Sequence, residues 1–363
     1  MALTVDRDTL SDLARGAAFL GTGGGGDPYI GYLVARQAIA DYGAPKLIDV
    51  EELDDDAMVM SIAGFGAPTV QLEKLVCGEE VELALTKLEQ YLGIKADAII
   101  PAEIGGSNSM IPIMLAARRG LPVVDADGMG RAFPELQMNS FSANGIRATP
   151  LAVTDEHLDF AIVEAENDKK AEDMTRALAI SMGLRVFVGC FHMSGRQAKE
   201  TAVRGTLTAA YDIGRAIREG RASNNAVDSI LACLKTTSHY RNGKILFDGK
   251  IVDLVRETAR GFSVGSCHLA ELANPSSTCT VTFQNENLEA IVNGDTVAMV
   301  PDLICIVDRE TGEPIPTQAL KYGQRVKVIG MSAPDQLRTP QALALFGPQA
   351  FGIDRPFTPI EAL

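Results

Sequence analysis

Residues 21–28 read Gly-Thr-Gly-Gly-Gly-Gly-Asp-Pro and separate two helical patterns, an amphipathic one over residues 9–20 and a second over residues 28–42. Asp27 is a favourable N-cap and Pro28 a favourable first helical residue, so the second helix is predicted to begin here. Glycine permits positive φ and leaves room for a ligand, while a helix start adds free N–H groups and partial positive charge. The stretch therefore predicts a loop that binds a phosphate or a carboxylate. The candidate binding residues are Gly23, Gly24, Gly25, Gly26 and Asp27.

Two other interpretations of this stretch were weighed against the binding loop. The order helix, glycines, helix, with no Lys-Ser/Thr pair after it, disfavours a P-loop or a dinucleotide fingerprint, because both of these follow a strand. The glycines also suit a flexible turn between two helices, in which Asp27 serves only as a cap. The sequence alone leaves the binding loop and the plain turn open.

Beyond this loop, apolar runs and helical patterns alternate along the first half of the chain. Such alternation predicts an α/β domain, with a parallel or mixed sheet flanked by helices. The predicted strands cover residues 46–50, 57–63, 97–104, 122–125, 160–165 and 185–191. The predicted helices lie near residues 79–92, 108–119 and 168–183, with further helical stretches over residues 195–235.

The pattern changes at Lys244, where short strand-like runs with turn signals begin. Asp248-Gly249 is a hairpin signal in the first of these runs, and Asn293-Gly294-Asp295 marks a later turn. The C-terminal third is therefore predicted to be β-rich with some helices, as a sandwich or a barrel. Because 363 residues exceed what one hydrophobic core usually organises, we predict two domains. An α/β domain over residues 1–165 carries the glycine-rich loops, and an α+β domain over residues 166–363 is β-rich from about residue 244.

The overall charge bears on the class of partner. The chain has 33 basic and 47 acidic residues, a formal net charge of -14, and no run rich in Lys or Arg. Nucleic acid and anionic membrane surfaces attract positive charge, so both are disfavoured as partners. The first residues lack the order of a signal peptide and no apolar run reaches membrane-spanning length, which predicts a cytoplasmic protein. We expect a small-molecule substrate and, because symmetric assemblies are common among soluble enzymes, a homo-oligomer.

Cysteine and histidine give no metal signature. The six cysteines are scattered without a CxxC pair, and the four histidines show neither HxH nor HExxH spacing. The cofactor is therefore left undetermined, and the remaining candidate is a divalent metal such as zinc, held by carboxylates.

Three sharp turns follow predicted strands, at residues 64–68, 103–108 and 125–131. In a doubly wound domain such turns gather at the carboxyl edge of the sheet, where ligands bind. That placement would bring together the polar side chains of Glu103, Asn108, Asp125 and Asp127. Crowded carboxylates act as general bases or hold a divalent cation, although each acidic residue alone is more commonly a helix cap.

A further polar stretch, Gln284-Asn285-Glu286-Asn287, directly follows an apolar strand in the β-rich part. Consecutive amide and acidic side chains at the end of a strand offer a hydrogen-bonding surface for a polar heterocycle. Asn and Glu are also common in plain turns, so the stretch adds weight only beside the other motifs.

Six motifs, read together, resemble the S-methyl thiohydantoin desulfurase family, which is also labelled hydantoinase- or oxoprolinase-like. The motifs are GTGGGGDP at 21–28, EIGGSN at 103–108, VDADGMGRAFPELQM at 124–138, FQNENL at 283–288, PDLI at 301–304 and GPQAFG at 347–352. The resemblance implies an α/β N-terminal domain followed by a β-rich C-terminal domain. It also implies a hydrolase that attacks a thioether-substituted five-membered ring, releases methanethiol and leaves a hydantoin.

This chemistry requires a base that deprotonates water and a donor that stabilises the ring nitrogen. As a hypothesis, Asp125 or Asp127 activates the water, directly or through a metal, and Glu103 and Glu286 are the other catalytic candidates. The ring would be held by Asn108, Asn285 and the backbone N–H groups of Gly105 and Gly106. The substrate's carboxylate would lie on the glycine loop and pair with Arg131, because a guanidinium matches a carboxylate.

Two alternative functions use the same pocket. One is a cyclic amidase that opens a hydantoin or oxoproline ring, which substrate profiling would separate from desulfuration. The other is a non-catalytic subunit that binds a ligand for a hydantoinase-type enzyme, which predicts binding without turnover. Carboxylates clustered beside glycine turns favour chemistry over docking.

Overall fold

The computed structural model describes residues 5–66, 70, 73–259 and 262–363, which form ten α-helices and sixteen β-strands. The helices are α1 Thr9–Leu20, α2 Pro28–Tyr42, α3 Glu79–Leu92, α4 Met110–Arg119, α5 Ser140–Ala143, α6 Asp168–Ser181, α7 Gly195–Thr201, α8 Thr206–Ala222, α9 Ala226–Leu234 and α10 Pro340–Phe346. The first nine strands are β1 Leu47–Ile48, β2 Met58–Gly66, β3 Ala98–Pro101, β4 Val123–Val124, β5 Ala126–Asp127, β6 Leu151–Thr154, β7 Phe160–Val163, β8 Arg185–Ser194 and β9 Val203–Arg204. The remaining strands are β10 Lys244–Ala259, β11 Phe262–Glu271, β12 Thr278–Gln284, β13 Glu286–Val292, β14 Asp295–Met299, β15 Leu303–Asp308 and β16 Arg325–Met331. None of the helices in these ranges combines the length and the apolar character that crossing a membrane requires.

The first sheet is mixed, with strand order β1-β4-β3-β2-β8-β6-β7. The sheet has a parallel half, formed by β1, β4, β3 and β2. Strand β8 pairs antiparallel with β2, and β6 and β7 continue the sheet through further antiparallel pairs. Helices flank this sheet, so the predicted α/β domain with a mixed sheet is confirmed. The sheet takes in β8, which lies beyond residue 165, and the predicted division of the chain at that residue stays a prediction.

The chain enters and leaves the glycine loop as its sequence predicts. Asp27 caps α2, since its Oδ1 accepts a hydrogen bond of 2.8 Å from the N–H of Tyr29, and Pro28 opens the helix. On the other side of the loop, α1 crosses α8 with the two backbones in contact. A Cβ on Gly16 would lie 1.7 Å from the carbonyl oxygen of Ala210, so only glycine fits at this crossing.

The C-terminal sheet is antiparallel throughout, with strand order β14-β13-β12-β11-β10-β16-β15. Its end strands are not paired with each other, so it forms an open half-barrel and confirms the predicted β-rich domain. The turn at Asn293-Gly294 is confirmed by positive φ angles of 52° and 97°. The hairpin predicted at Asp248-Gly249 is wrong, because both residues lie inside β10. Gly249 is required instead because a Cβ there would lie 2.4 Å from the carbonyl oxygen of Ala270.

One hydrophobic core is shared by the two domains. It contains Leu13 and Leu20 of α1 and Ile213 of α8, together with Leu288 and Ile329 of the C-terminal sheet. A second core covers the other face of the first sheet, and a third lies within the C-terminal domain. Because apolar burial is continuous across the boundary, the two domains hold a fixed relation to each other.

Arg131 adds a polar connection to this apolar one. The side chain is fully buried, and its guanidinium donates five hydrogen bonds of 3.0–3.2 Å, which use all of its N–H groups. The acceptors are the carbonyl oxygens of Ala132, Asn287, Pro301 and Asp302 and the hydroxyl of Thr22. Arg131 therefore links the glycine loop and the first domain to two strand ends of the second.

Replacing Arg131 by Met would leave these buried acceptors without a donor while keeping most of the side chain's volume. We expect Arg131→Met to lower the free energy of unfolding by about 3 kcal/mol or more, measured by urea denaturation. The matched control is Arg215→Met, because Arg215 is half-exposed, pairs with Asp212 one turn away and contacts the ring of Tyr211. We expect that control to change stability by about 0.5 kcal/mol or less. Equal stability of the two variants would contradict the linking role of Arg131.

Candidate functional site

A pocket opens between the two domains, beside the carboxyl ends of β2 and β3 and the turn between β12 and β13. Its cavity volume is about 80 Å³, enough for several water molecules or part of a small ring. Gly25 and Gly26 of the glycine loop form one wall. The polar and charged side chains that line it are Glu103, Asn108, Glu135, Arg176, Asn285 and Glu286.

Glu103 enters the pocket from the loop that follows β3. The side chain of Asn108 donates a hydrogen bond of 2.5 Å to Glu103 Oε1. Asn108 is itself fixed by the end of β2, because its Oδ1 accepts from the N–H of Gly64 at 2.7 Å. Burial, joined by the negative charge of Glu286, raises the pKa of Glu103 well above its usual value, against the lowering effect of Asn108. Glu103 therefore favours its protonated form.

Glu286 reaches the same pocket from the second domain, at the first residue of β13. Asn285 precedes it in the left-handed conformation, with φ of 58°, and exchanges hydrogen bonds of 2.7 and 2.9 Å with the backbone of Ser263. Burial raises the pKa of Glu286 to about 8, although the positive charge of Arg131 and the N–H of Gly25 act to lower it.

The two carboxyl groups form a buried pair drawn from both domains. Glu103 Oε2 and Glu286 Oε2 are each buried and have no hydrogen-bond partner among the residues the structure describes. Two acids in one water-poor cavity resist ionising together, because each charge disfavours the other. Such a pair can hold one proton and offer one carboxylate, which is the requirement for paired acid and base chemistry.

The glycine loop leaves room for the two carboxyl groups because its glycines have no side chains. A Cβ on Gly24 would lie 1.9 Å from Glu286 Oε1, so any other residue here would displace the carboxyl group. Gly23 packs instead against Thr317, which donates to its carbonyl oxygen through both its backbone N–H and its hydroxyl. Asp27 caps α2 and does not line the pocket. Of the predicted loop residues, Gly25 and Gly26 form the pocket wall and Gly24 supports it.

Gly105 and Gly106, which were expected to hold the ring through their N–H groups, lie behind the pocket. Their backbone interlocks with the glycine loop, since a Cβ on Gly106 would lie 2.3 Å from the carbonyl oxygen of Gly25. The next residue strengthens this contact, because the N–H of Ser107 donates to Gly25 O at 2.9 Å. The two glycines thus permit the close approach of two loops rather than contact with a ligand.

The two aspartates expected to activate water lie outside the cavity lining. Asp127 is fully buried behind the pocket, where its Oδ2 accepts from the N–H groups of Ile104, Met129 and Gly130. Burial raises the pKa of Asp127 to about 7, and these N–H groups lower it. Asp125 lies in a different groove and caps α8, accepting from the N–H groups of Leu207 and Thr208 and from the Thr208 hydroxyl. Burial raises the pKa of Asp125 as well.

The arginine that lines the pocket is not the one that the sequence predicted. The predicted anion-binding residue, Arg131, is sealed from the pocket and has no N–H left for a substrate. Arg176, which the sequence did not single out, lines the pocket instead. It lies on a charged helix that resembles an ordinary solvated surface, and no motif surrounds it. Its one sequence signal is that Phe65, with which it stacks, belongs to the stretch 64–68 that was predicted as a turn. Residues 64–66 of that stretch lie in β2, and residues 67 and 68 lie outside the described residues.

Metal ligation was left open by the sequence. Within the described ranges, no group of three or more His, Cys, Asp or Glu side chains is arranged to hold a metal ion. Unpaired carboxylate oxygens in the described ranges belong to Glu103 and Glu286, which line the pocket, and to Asp127, whose Oδ1 is buried behind it.

The fold is shared with a protein of known structure. The chain is similar to a protein from Chromobacterium violaceum with a known X-ray crystal structure, with 25% sequence identity and a TM-score of 0.82. The match covers 99% of this chain and 100% of that one, so the two-domain architecture is common to both. No curated protein matches the chain.

Family models cover almost the whole sequence. Residues 8–165 match the S-Me-THD-like N-terminal domain, and residues 166–360 match the S-Me-THD-like C-terminal domain. These matches confirm the resemblance that the six motifs indicated. The chain belongs to the S-Me-THD-like family, the family of S-methyl thiohydantoin desulfurase-like proteins.

Proposed function

We propose that this protein hydrolyses a small five-membered ring of the S-methyl thiohydantoin type and releases methanethiol. The observation that carries the proposal is the buried pair Glu103 and Glu286, each with an unpartnered carboxyl oxygen in one pocket. Membership of the S-Me-THD-like family supports the choice of substrate. A ligand-binding subunit without chemistry would have no use for two buried acids, because their desolvation opposes folding.

Both glutamates have raised pKa values, and the effect of one charge on the other assigns their roles. The pKa of Glu286 is raised to about 8, and that of Glu103 is raised well above its usual value with the charge of Glu286 as a cause. When Glu286 ionises, its negative charge therefore helps Glu103 to keep its proton. Glu286 is the general base and Glu103 the general acid.

The reaction proceeds in two proton-balanced steps. Water forms a C–O bond to the ring carbon that carries sulfur, Glu286 takes a proton from the water, and Glu103 gives its proton to the ring nitrogen. The C–S bond of the tetrahedral intermediate then breaks. The intermediate's hydroxyl returns a proton to Glu103, and Glu286 gives its proton to the departing methanethiolate. The products are methanethiol and a hydantoin, and both glutamates regain their starting states.

Two asparagines support these steps in different ways. Asn108 holds Glu103 through its side-chain amide, so it positions the acid rather than touching the ring. Asn285 lines the pocket beside Glu286, and its side-chain Oδ1 is already used by the N–H of Ser263. Its Nδ2 therefore remains to donate to a ring carbonyl.

Replacement of either acid by its amide tests the pair. We expect Glu286→Gln and Glu103→Gln each to lower kcat at least about 100-fold in a colorimetric assay of thiol release from S-methyl thiohydantoin propionate. The comparison variant is Asp125→Asn, which alters a carboxylate that caps α8 and should keep wild-type turnover. Circular dichroism checks that each variant is folded.

Two results would count against the assignment of the acid pair, and a third would count against the proposed substrate. Full activity of Glu286→Gln, or loss of activity only in Asp125→Asn, would remove the pair from the mechanism. Ring opening of hydantoins without thiol release would move the protein to the cyclic amidase alternative, with the same two acids.

The pH dependence follows from the raised pKa of the base. Glu286 must be ionised to accept a proton, so kcat/KM is expected to rise as the pH rises through about 8. A falling limb of the profile would report the loss of the proton that Glu103 must donate, and the pKa of that group is raised as well. Stopped-flow or steady-state rates from about pH 6 to about pH 10 measure this profile. A rising limb near the ordinary pKa of a glutamic acid would contradict the role of a buried base.

A further inference from the structure

Arg176 is held between aromatic rings of both domains. Its guanidinium carbon lies 4.7 Å from the ring centroid of Phe65, at the end of β2, and 4.3 Å from that of Phe262, the first residue of β11. The side chain is only 15% exposed. Contact with two aromatic rings limits the access of water to the guanidinium, which strengthens its remaining polar interactions.

Hydrogen bonds fix the orientation of this guanidinium. Its Nε donates to Glu172 Oε1 at 2.7 Å, and its Nη2 pairs with the same carboxylate and donates to the carbonyl oxygen of Pro134. Glu172 is held in turn, because its Oε2 accepts from the N–H of Leu136 at 2.9 Å. The remaining nitrogen, Nη1, has no hydrogen-bond partner among the described residues.

The positive member of this ion pair lies at the pocket, and the negative member does not. Arg176 lines the cavity, whereas Glu172 lies on the opposite edge of the guanidinium and does not line it. Among the described residues, Arg176 is also the only Lys or Arg in the lining. Its positive charge extends to the catalytic pair, since it lowers the pKa of Glu286.

An anionic ligand in this pocket meets three carboxyl groups and one cation. Glu135 is already paired with Lys169 at 3.3 Å, and the two catalytic glutamates are neutral or share one charge. Arg131 has no donor to offer, and the wall formed by Gly25 and Gly26 carries no charged side chain. A negatively charged substituent is therefore attracted to Arg176 and repelled from the acids.

We propose that Arg176 is the specificity-determining residue of the site and binds a carboxylate substituent of the ring substrate through Nη1. The assignment rests on the proposed function for the identity of the ring, while the anion contact itself requires no turnover. Binding of the charged substituent at Arg176 directs the uncharged ring toward Glu103 and Glu286, which line the same pocket. The clamp formed by Phe65 and Phe262 also makes recognition depend on both domains.

Binding of two matched ligands tests this contact without relying on catalysis. Hydantoin-5-propionate carries a carboxylate, and hydantoin-5-propionamide is its neutral analogue of nearly the same shape. By isothermal titration calorimetry we expect wild-type protein to bind the acid at least about 10-fold more tightly than the amide. In Arg176→Gln this preference should disappear, with the affinity for the amide nearly unchanged.

The matched control is Arg118→Gln. Arg118 also pairs with a glutamate, Glu82, and stacks on a ring, that of Tyr42, but it lies outside this pocket. Its replacement should leave the preference for the acid intact. Because Arg176→Gln leaves Glu172 buried without its partner, the double variant Arg176→Gln/Glu172→Gln provides a folded alternative, checked by its thermal unfolding midpoint.

The outcomes separate this inference from the proposed function. Retention of the acid preference in the Arg176 variants, or no preference in the wild type, overturns the assignment of Arg176. If the Arg176 variants lose the acid preference but the wild-type protein releases no thiol from any ring, the anion site is supported and the desulfurase activity is refuted.

Discussion

The backbones of the two glycine turns approach each other so closely that neither has room for a side chain. Gly25 and Gly106 meet through their peptide groups, and Gly24 lies against the carboxyl group of Glu286. This approach brings a loop after β3 of the first domain within reach of a strand start in the second. Glu103 and Glu286 can share one cavity only because the glycines leave it free. Arg131 then holds the surrounding carbonyl groups in place from behind.

Local signals in the sequence were sufficient for most of the architecture. The start of α2 is set by two adjacent residues, Asp27 and Pro28, and the alternation of strands and helices follows from short-range hydrophobic patterns. The same local logic failed at Asp248-Gly249. Glycine is required there because the backbone of Ala270, twenty-one positions away, lies too close for a side chain. No local sequence pattern indicates this contact.

The site was predictable in its motifs but less so in its roles. Glu103, Asn108, Asn285 and Glu286 were selected from turns after strands, and the structure brings all four to one pocket. Asp125 and Arg131 were selected from the same kind of motif, but neither lines the pocket. In sequence, a side chain that caps a helix or bonds buried carbonyl groups cannot be distinguished from one that faces a cavity. Arg176 lies in no motif of its own, because its place in the site depends on Phe262, a residue eighty-six positions later on a strand of the other sheet.

The buried acids also affect the thermodynamics of the whole chain. In the unfolded chain Glu286 would ionise at the usual pKa of a glutamic acid, 4.5, whereas in the folded protein it does so at about 8. Between those values the folded state binds more protons than the unfolded state, so folding takes up protons from the solvent. The contribution of this group to stability is fully present below the lower value and declines as the pH rises toward the higher one. Ion-paired carboxylates behave in the opposite way, so the pH range in which Glu286, the proposed base, becomes charged is also the range in which its burial opposes folding.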